Sequence, residues 1–205
     1  MSRSQPLEPP PIPDLRVVII GCSGSGKSRL AGKVHAQVGL PHLELDSVFH
    51  QPNWTPLPIQ DFAQAVDGFM DAHPSWVIDG NYPAVRKRIW DRASTVLWID
   101  LPRWRVMTQL LWRTFRRAIT RKQLWNGNKE RLRDILSLDP YRSVIVWAWT
   151  HHRSYKETYR ELMRNKAYAH LDFNRFPTHK AAAKWLVRTT PPKKKRTKTV
   201  KKSRH

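Results

Sequence analysis

The chain has 205 residues, 40% of them hydrophobic, ten tryptophans and a formal net charge of +21. That is long enough for one domain with tails and a packed core, and too apolar for a wholly disordered chain. One cysteine excludes an intramolecular disulfide and a cysteine metal cluster, no apolar run reaches the ~18 residues of a membrane span, and the first residues lack the apolar core of a signal peptide. The expected setting is therefore the reducing cytoplasm, with no membrane partner.

Residues 1–14 are Pro-rich and read as a flexible arm. The run Arg16-Val17-Val18-Ile19-Ile20 predicts a buried strand that leads into a glycine-rich loop, and Ser28 to Val38 predicts a helix stopped by Gly39 and Pro41. His42 to Asp46 reads as a second strand, 51–58 as a loop, and Ile59 to Ala72 as a helix with apolar residues at 59, 62, 66 and 69. Trp76 to Gly80 and Thr95 to Asp100 predict the third and fourth strands, separated by a helical stretch near 84–92. A helix from Arg103 to about Lys122, a polar stretch over 123–140, one or two helices over 141–165, a last strand at Tyr168–Asp172 and a closing helix over 178–187 complete the body. Strands alternating with helices at this spacing predict βαβ units and a parallel sheet, an α/β domain over 15–190.

The tail 191–205 is basic and expected to be disordered. The eight basic residues of 193–204 leave +13 on the rest, so the body also suits anionic partners: nucleotides, phosphorylated metabolites or nucleic acid.

Gly21-Cys22-Ser23-Gly24-Ser25-Gly26-Lys27-Ser28 matches the full Walker A pattern, in its strand–loop–helix frame. Glycines let the backbone curl so that Gly21, Ser23, Gly24, Ser25, Gly26 and the residues into Arg29 present N–H groups to phosphates at a helix N-terminus. Lys27 supplies a point charge to the transferring group and the Ser28 hydroxyl ligates Mg²⁺, so ATP and Mg²⁺ are the expected cofactors. Cys22 reads either as a redox-sensitive thiol or as a small filler. The metal needs a second acid. Asp79 at the end of strand three faces the ligand crevice of an open α/β sheet; Asp100 competes, with capping of the following helix as its other reading. Asp46, read as ending strand two, could deprotonate an acceptor hydroxyl or serve as a helix cap.

From Arg103 to Arg133 there are ten basic residues and one acid. On a helix, Trp104, Met107, Leu111 and Phe115 share one face, with Arg105, Arg113, Arg116 and Arg117 opposite. Arg113, Arg116 and Arg117 are candidates to clamp the triphosphate; a solvated basic face or a nucleic-acid surface with Trp112 and Trp125 stacking on bases are the alternatives.

Together these residues resemble the small P-loop kinases related to adenylate kinase, and more closely the bacterial DNA topology modulation (FlaR-like) proteins. The resemblance covers about 15–188 and is carried by Gly21–Ser28, by Leu45-Asp46 with Phe49-His50 and Trp54, by Asp79-Gly80-Asn81-Tyr82, by Leu101-Pro102-Arg103-Trp104, and by Trp125-Asn126-Gly127-Asn128-Lys129-Glu130. It implies a P-loop NTPase fold of three α/β/α layers, with a five-stranded parallel sheet and a short arginine-rich lid. It also implies Mg²⁺ support from Asp79 and acceptor contacts from Asn81 and from Arg86 or Arg88, though neither arginine stands immediately after the signature as in the family. His50 and Trp54 are expected to border the acceptor. The expected function is ATP γ-phosphoryl transfer to a small nucleotide or other hydroxyl- or phosphate-bearing acceptor, catalysed by Lys27, Asp46 and the arginines at 113, 116 and 117. The alternative is a nucleic-acid-binding protein that uses ATP as a switch, with the basic tail adding non-specific contacts.

Overall fold

The computed structural model describes residues 14–120, 123–129, 139 and 143–190, without the side chain of residue 118. The expectations for the arm before 14, the helix end at Lys122, Glu130 of the Trp-Asn-Gly-Asn stretch, most of the polar stretch beyond 129 and the tail from 191 lie outside those residues.

Five strands form one all-parallel sheet in the order β2-β3-β1-β4-β5: β1 (Arg16–Gly21), β2 (His42–Glu44), β3 (Trp76–Asp79), β4 (Thr95–Ile99) and β5 (Asp172–Phe176). The central three are β-branched and aromatic runs that face protein on both sides, as a parallel sheet requires. Successive residues point to opposite faces. Val17 and Ile19 pack with α1 (Lys27–Val38), α5 (Arg103–Thr120) and α7 (His179–Thr189) through Val34, Leu110 and Leu186. Val18 and Ile20 pack against Phe62 and Val66 of α3 (Ile59–Ala72) and Ile89 and Trp90 of α4 (Pro83–Arg92), with Tyr159 of α6 (Val144–Arg164) closing that core. The result is the expected three-layer α/β/α fold, with the carboxyl ends of β1 to β4 opening on one crevice.

Three expectations are corrected. Strand two stops at Glu44, and Leu45–Phe49 form a short helix, α2, so Asp46 lies in a first helical turn. The chain turns there because the Ser47 hydroxyl donates to the Glu44 carbonyl at 2.7 Å. The last strand begins at Asp172, where its N–H joins the Ser94 carbonyl; residues 166–168 form a 3₁₀ turn instead. In α5 the buried stripe is Val106, Met107, Leu110 and Thr114, whereas Trp104, Leu111 and Phe115 are exposed. The phosphate loop sets that rotation: a Cβ added at Gly24 would lie 2.9 Å from the Leu110 Cβ, so the helix brings its close-packing face to the loop.

Asp100, at the end of β4, is buried and holds Lys156 at 3.1 Å and Arg175 through its guanidinium. This trio ties α6 to the end of the sheet. Asp100→Ala strands two cations, both partly hydrated, and is expected to cost about 1–3 kcal/mol by chemical denaturation, less than for a fully buried pair.

Candidate active site

β1 hands directly into the phosphate loop. The Ser25 N–H closes onto the Cys22 carbonyl at 3.0 Å, and α1 starts at Lys27 with Gly26 as its N-terminal neighbour. Gly24 and Gly26 have φ of 83° and 95°, which L side chains rarely adopt. A Cβ on Gly26 would also meet the His179 ring at 2.9 Å. Gly26→Ala is therefore expected to lower stability by about 1–3 kcal/mol and to weaken nucleotide binding, read by denaturant unfolding and by ADP titration. The Lys27 ammonium donates to the Cys22 carbonyl at 3.3 Å. Cys22 itself is buried and its thiol is pushed up by that burial, which suits a packing role rather than a reactive thiolate.

The Ser28 hydroxyl lies 2.8 Å from Asp79 Oδ1 and 2.7 Å from Glu44 Oε1. Asp79 is buried and its other oxygen meets His42 Nε2 at 2.6 Å. A serine carries one proton, so it can donate to only one of these two carboxylates at a time. Two acidic oxygens gathered on one hydroxyl is a donor set that suits a hard divalent cation. Among the described residues no cluster of three or more His, Cys, Asp or Glu side chains could hold a metal, so a cation here would depend on phosphate oxygens as well. Asp79, rather than Asp100, is the strand-end acid brought to Ser28. Glu44 and His42 were not singled out in the sequence; their signal was position, at the ends of a β2 that neighbours β3.

Across the crevice, Asp46 Oδ1 accepts the Tyr82 hydroxyl at 2.6 Å, and His50 Nε2 lies 3.3 Å from the same phenol oxygen. Because the phenol proton goes to Asp46, His50 donates from Nε2, leaving Nδ1 as a buried acceptor without a protein partner. Burial lowers the His50 pKa, opposed by Asp46, which favours the neutral ring that this tautomer requires. Burial, with Asp46 next, pushes the Tyr82 phenol far up, so it stays a donor. Asn81 accepts Arg86 Nε at 3.2 Å, and its own amide nitrogen is buried and unpartnered. Arg88 pairs with Asp67 at 2.7 Å and fastens α4 to α3, which separates it in role from Arg86. Tyr155 on α6 is a wall that the sequence did not flag: burial first, then Cys22, pushes its phenol up to about 12, with Arg86 and Asp46 as further charged neighbours.

Trp54 stands edge-on beside His50 with ring centroids 5.3 Å apart, and Trp125 stacks on His50 at 6.0 Å and meets Trp54 edge-on at 6.3 Å. Trp125 is thus half-buried against its neighbours, whereas Trp112 is 67% exposed. Of the predicted clamp, Arg113 and Arg117 lie on the half-buried side of α5 and Arg116 on its exposed side; Arg29 is exposed on α1. Arg105 of α5 faces His179, whose ring lies beside Gly26 of the loop: burial lowers the pKa of His179, and Arg29, Arg105 and Lys33 lower it further.

An all-parallel five-stranded sheet of this order, with a glycine-rich phosphate loop between its central strand and a helix, is a P-loop type of α/β fold. No family model matches the chain, and no curated protein matches it by sequence. Among solved structures the chain is similar to a gluconokinase from Sinorhizobium meliloti 1021, at 16% identity over 86% of this chain and 94% of that one, with a TM-score of 0.46. It is also similar to a sugar kinase from Janibacter sp. HTCC2649, at 23% identity over 67% of this chain and 94% of that one, with a TM-score of 0.37. No helix among the described residues is long and apolar enough to cross a membrane.

Proposed function

We propose that this chain is an Mg-ATP-dependent phosphotransferase that moves the γ-phosphoryl group of ATP to a hydroxyl of a small acceptor. The observation that carries the reading is the pairing of two carboxylate stations in one crevice: Asp79 and Glu44 on Ser28, and Asp46 on Tyr82. The glycine loop and the N-terminus of α1 bind the phosphates, and Lys27 supplies positive charge where the transferring group gathers negative charge. Ser28 and Asp79 would hold Mg²⁺ together with phosphate oxygens, and the ion would supply charge neutralisation on the phosphates. Asp46 takes the acceptor's hydroxyl proton as the acceptor oxygen bonds to the γ-phosphorus; the bond to the β-phosphate oxygen breaks and its electron pair leaves on ADP. Asn81 and Arg86 offer donors to an acceptor with an anionic group, with His50, Trp54 and Tyr155 as walls. The arginines of α5 close over the phosphates in this reading.

The finer relationship, to the adenylate-kinase-related and FlaR-like proteins, rests on Asp79-Gly80-Asn81-Tyr82 and Trp125-Asn126-Gly127-Asn128. A cytoplasmic site of action is supported by the single cysteine and by ATP as donor. The test is ADP formation with Mg²⁺ across sugars, sugar acids, nucleosides and nucleoside monophosphates. Acceptor-dependent turnover that disappears in Lys27→Ala supports the reading. A second reading, an ATP-gated nucleic-acid binder, draws on the exposed Trp104, Trp112 and Trp149 with Arg103 over Trp149. Absence of turnover with every acceptor, together with steeply salt-dependent nucleic-acid binding, would replace the first reading by the second.

A further inference from the structure

The Trp125–Gly127 turn stands at the far end of a continuous set of contacts that starts at the cation-side serine. Glu44 takes part with both of its oxygens: Oε1 lies 2.7 Å from the Ser28 hydroxyl, and Oε2 accepts the Trp125 indole N–H at 2.8 Å. From there the turn is fastened to the segment that carries the acceptor-side residues. The Asn126 amide donates to the carbonyls of Ser47 at 3.2 Å and His50 at 2.7 Å, and the Asn128 amide to that of Gln51 at 2.9 Å. In return the Trp54 N–H donates to Asn128 Oδ1 at 2.9 Å, and its indole to the Lys129 carbonyl at 3.2 Å.

The backbone marks this junction as built rather than incidental. Asn53, Trp54 and Asn126 have φ of 60°, 61° and 54°. A tryptophan at positive φ is an outlier that persists only where its surroundings hold it, and here both of its N–H groups are held by the 125–129 stretch.

We propose that Glu44 is a positioning residue that couples cation occupancy at Ser28 to docking of the Trp125 turn, and so to the His50–Trp54 side of the acceptor site. This rests on the proposed function in one respect, that a cation sits at Ser28. In the ligand-free arrangement Glu44 and Asp79 compete for one serine proton. A cation at that hydroxyl removes the competition and draws Glu44 toward positive charge, while the indole N–H holds the opposite oxygen in the same orientation. Both interactions favour one placement of the Glu44 carboxylate, so each strengthens the other, and linkage makes the effect reciprocal.

The experiment titrates Mg²⁺ into the ADP complex of the full chain, with two readouts: the Mg²⁺ dissociation constant by calorimetry, and the emission of Trp125, taken as wild type minus Trp125→Phe. The expected result is that Mg²⁺ changes the Trp125 emission, and that Trp125→Phe weakens Mg²⁺ binding about 3–10-fold, a typical coupling factor, with Mg-free ADP binding unchanged. Glu44→Gln still offers the indole a carbonyl acceptor, so the Trp125 emission component should persist but stop responding to Mg²⁺, which a merely structural role would not produce. Equal Mg²⁺ affinity in wild type and Trp125→Phe, or a Glu44→Gln protein whose Trp125 still responds, overturns the coupling. Failure of the wild-type chain to bind ADP at all would instead overturn the underlying nucleotide reading, so the two failures are distinguishable.

Discussion

Lys27→Ala is expected to lower acceptor-dependent ADP formation by on the order of a thousandfold or more, with a thermal melt close to that of the parent protein. The asymmetry follows from where the ammonium sits. Lys27 opens α1, its side chain is half-buried, and its hydrogen bond is to the Cys22 carbonyl of its own loop at 3.3 Å. Among the described residues no ion pair to a carboxylate spends its charge, so the full positive charge remains at the loop mouth. A single such bond to a neutral carbonyl contributes about 1 kcal/mol to folding. The same charge facing a transferring phosphoryl group stabilises developing negative charge far more strongly. Lys27→Arg should not restore the rate, because a planar fork cannot occupy the place of a compact ammonium in so narrow a loop. The check is ADP release by coupled assay, alongside thermal unfolding of both variants. Turnover within tenfold of the parent would remove Lys27 from the chemistry and with it the kinase reading of the loop.

The residues of this loop were legible in the sequence because each is chemically forced. Gly24 and Gly26 have to be glycine for the backbone they adopt, and Lys27 and Ser28 supply functional groups that other residues do not. The three central strands were legible for a related reason: residues such as Val17 to Ile20 are buried on both faces, so local composition carries the answer. The edge of the sheet was not. β5 reads Asp-Phe-Asn-Arg-Phe, only its last residue is buried, and the apolar residues just before it made a more convincing strand than the real one. Leu43-Glu44-Leu45-Asp46 alternates like a strand throughout, yet the backbone turns helical after Glu44. That misplaced the element carrying Asp46 without misplacing its carboxylate, which still opens on the crevice beside Tyr82. Glu44, His42 and Tyr155 were missed because their roles come from partners dozens of residues away. Glu44 meets Trp125 across 81 positions, and nothing in the spacing of either residue announces the other.

Asp46→Asn is the substitution that separates proton acceptance from acceptor binding. The amide keeps the shape of the side chain and keeps an oxygen for the Tyr82 hydroxyl now 2.6 Å from Oδ1, so α2 and the Asn81–Tyr82 stretch stay joined. What disappears is basicity. General-base assistance contributes roughly 10²–10⁴-fold, so kcat is expected to fall by that range while the acceptor KM moves by less than about threefold. Tyr82→Phe is the complementary variant. It leaves the carboxylate charged but removes its donor and the bridge to His50, so kcat should fall by about tenfold, well short of the loss in Asp46→Asn. Steady-state kinetics on both variants, with the best acceptor from the panel, decide between roles. A fall in kcat of a hundredfold or more in Asp46→Asn, well beyond the roughly tenfold loss in Tyr82→Phe, identifies the proton acceptor. A rise in acceptor KM with kcat preserved would make Asp46 a binding residue and remove it as the acceptor of the hydroxyl proton.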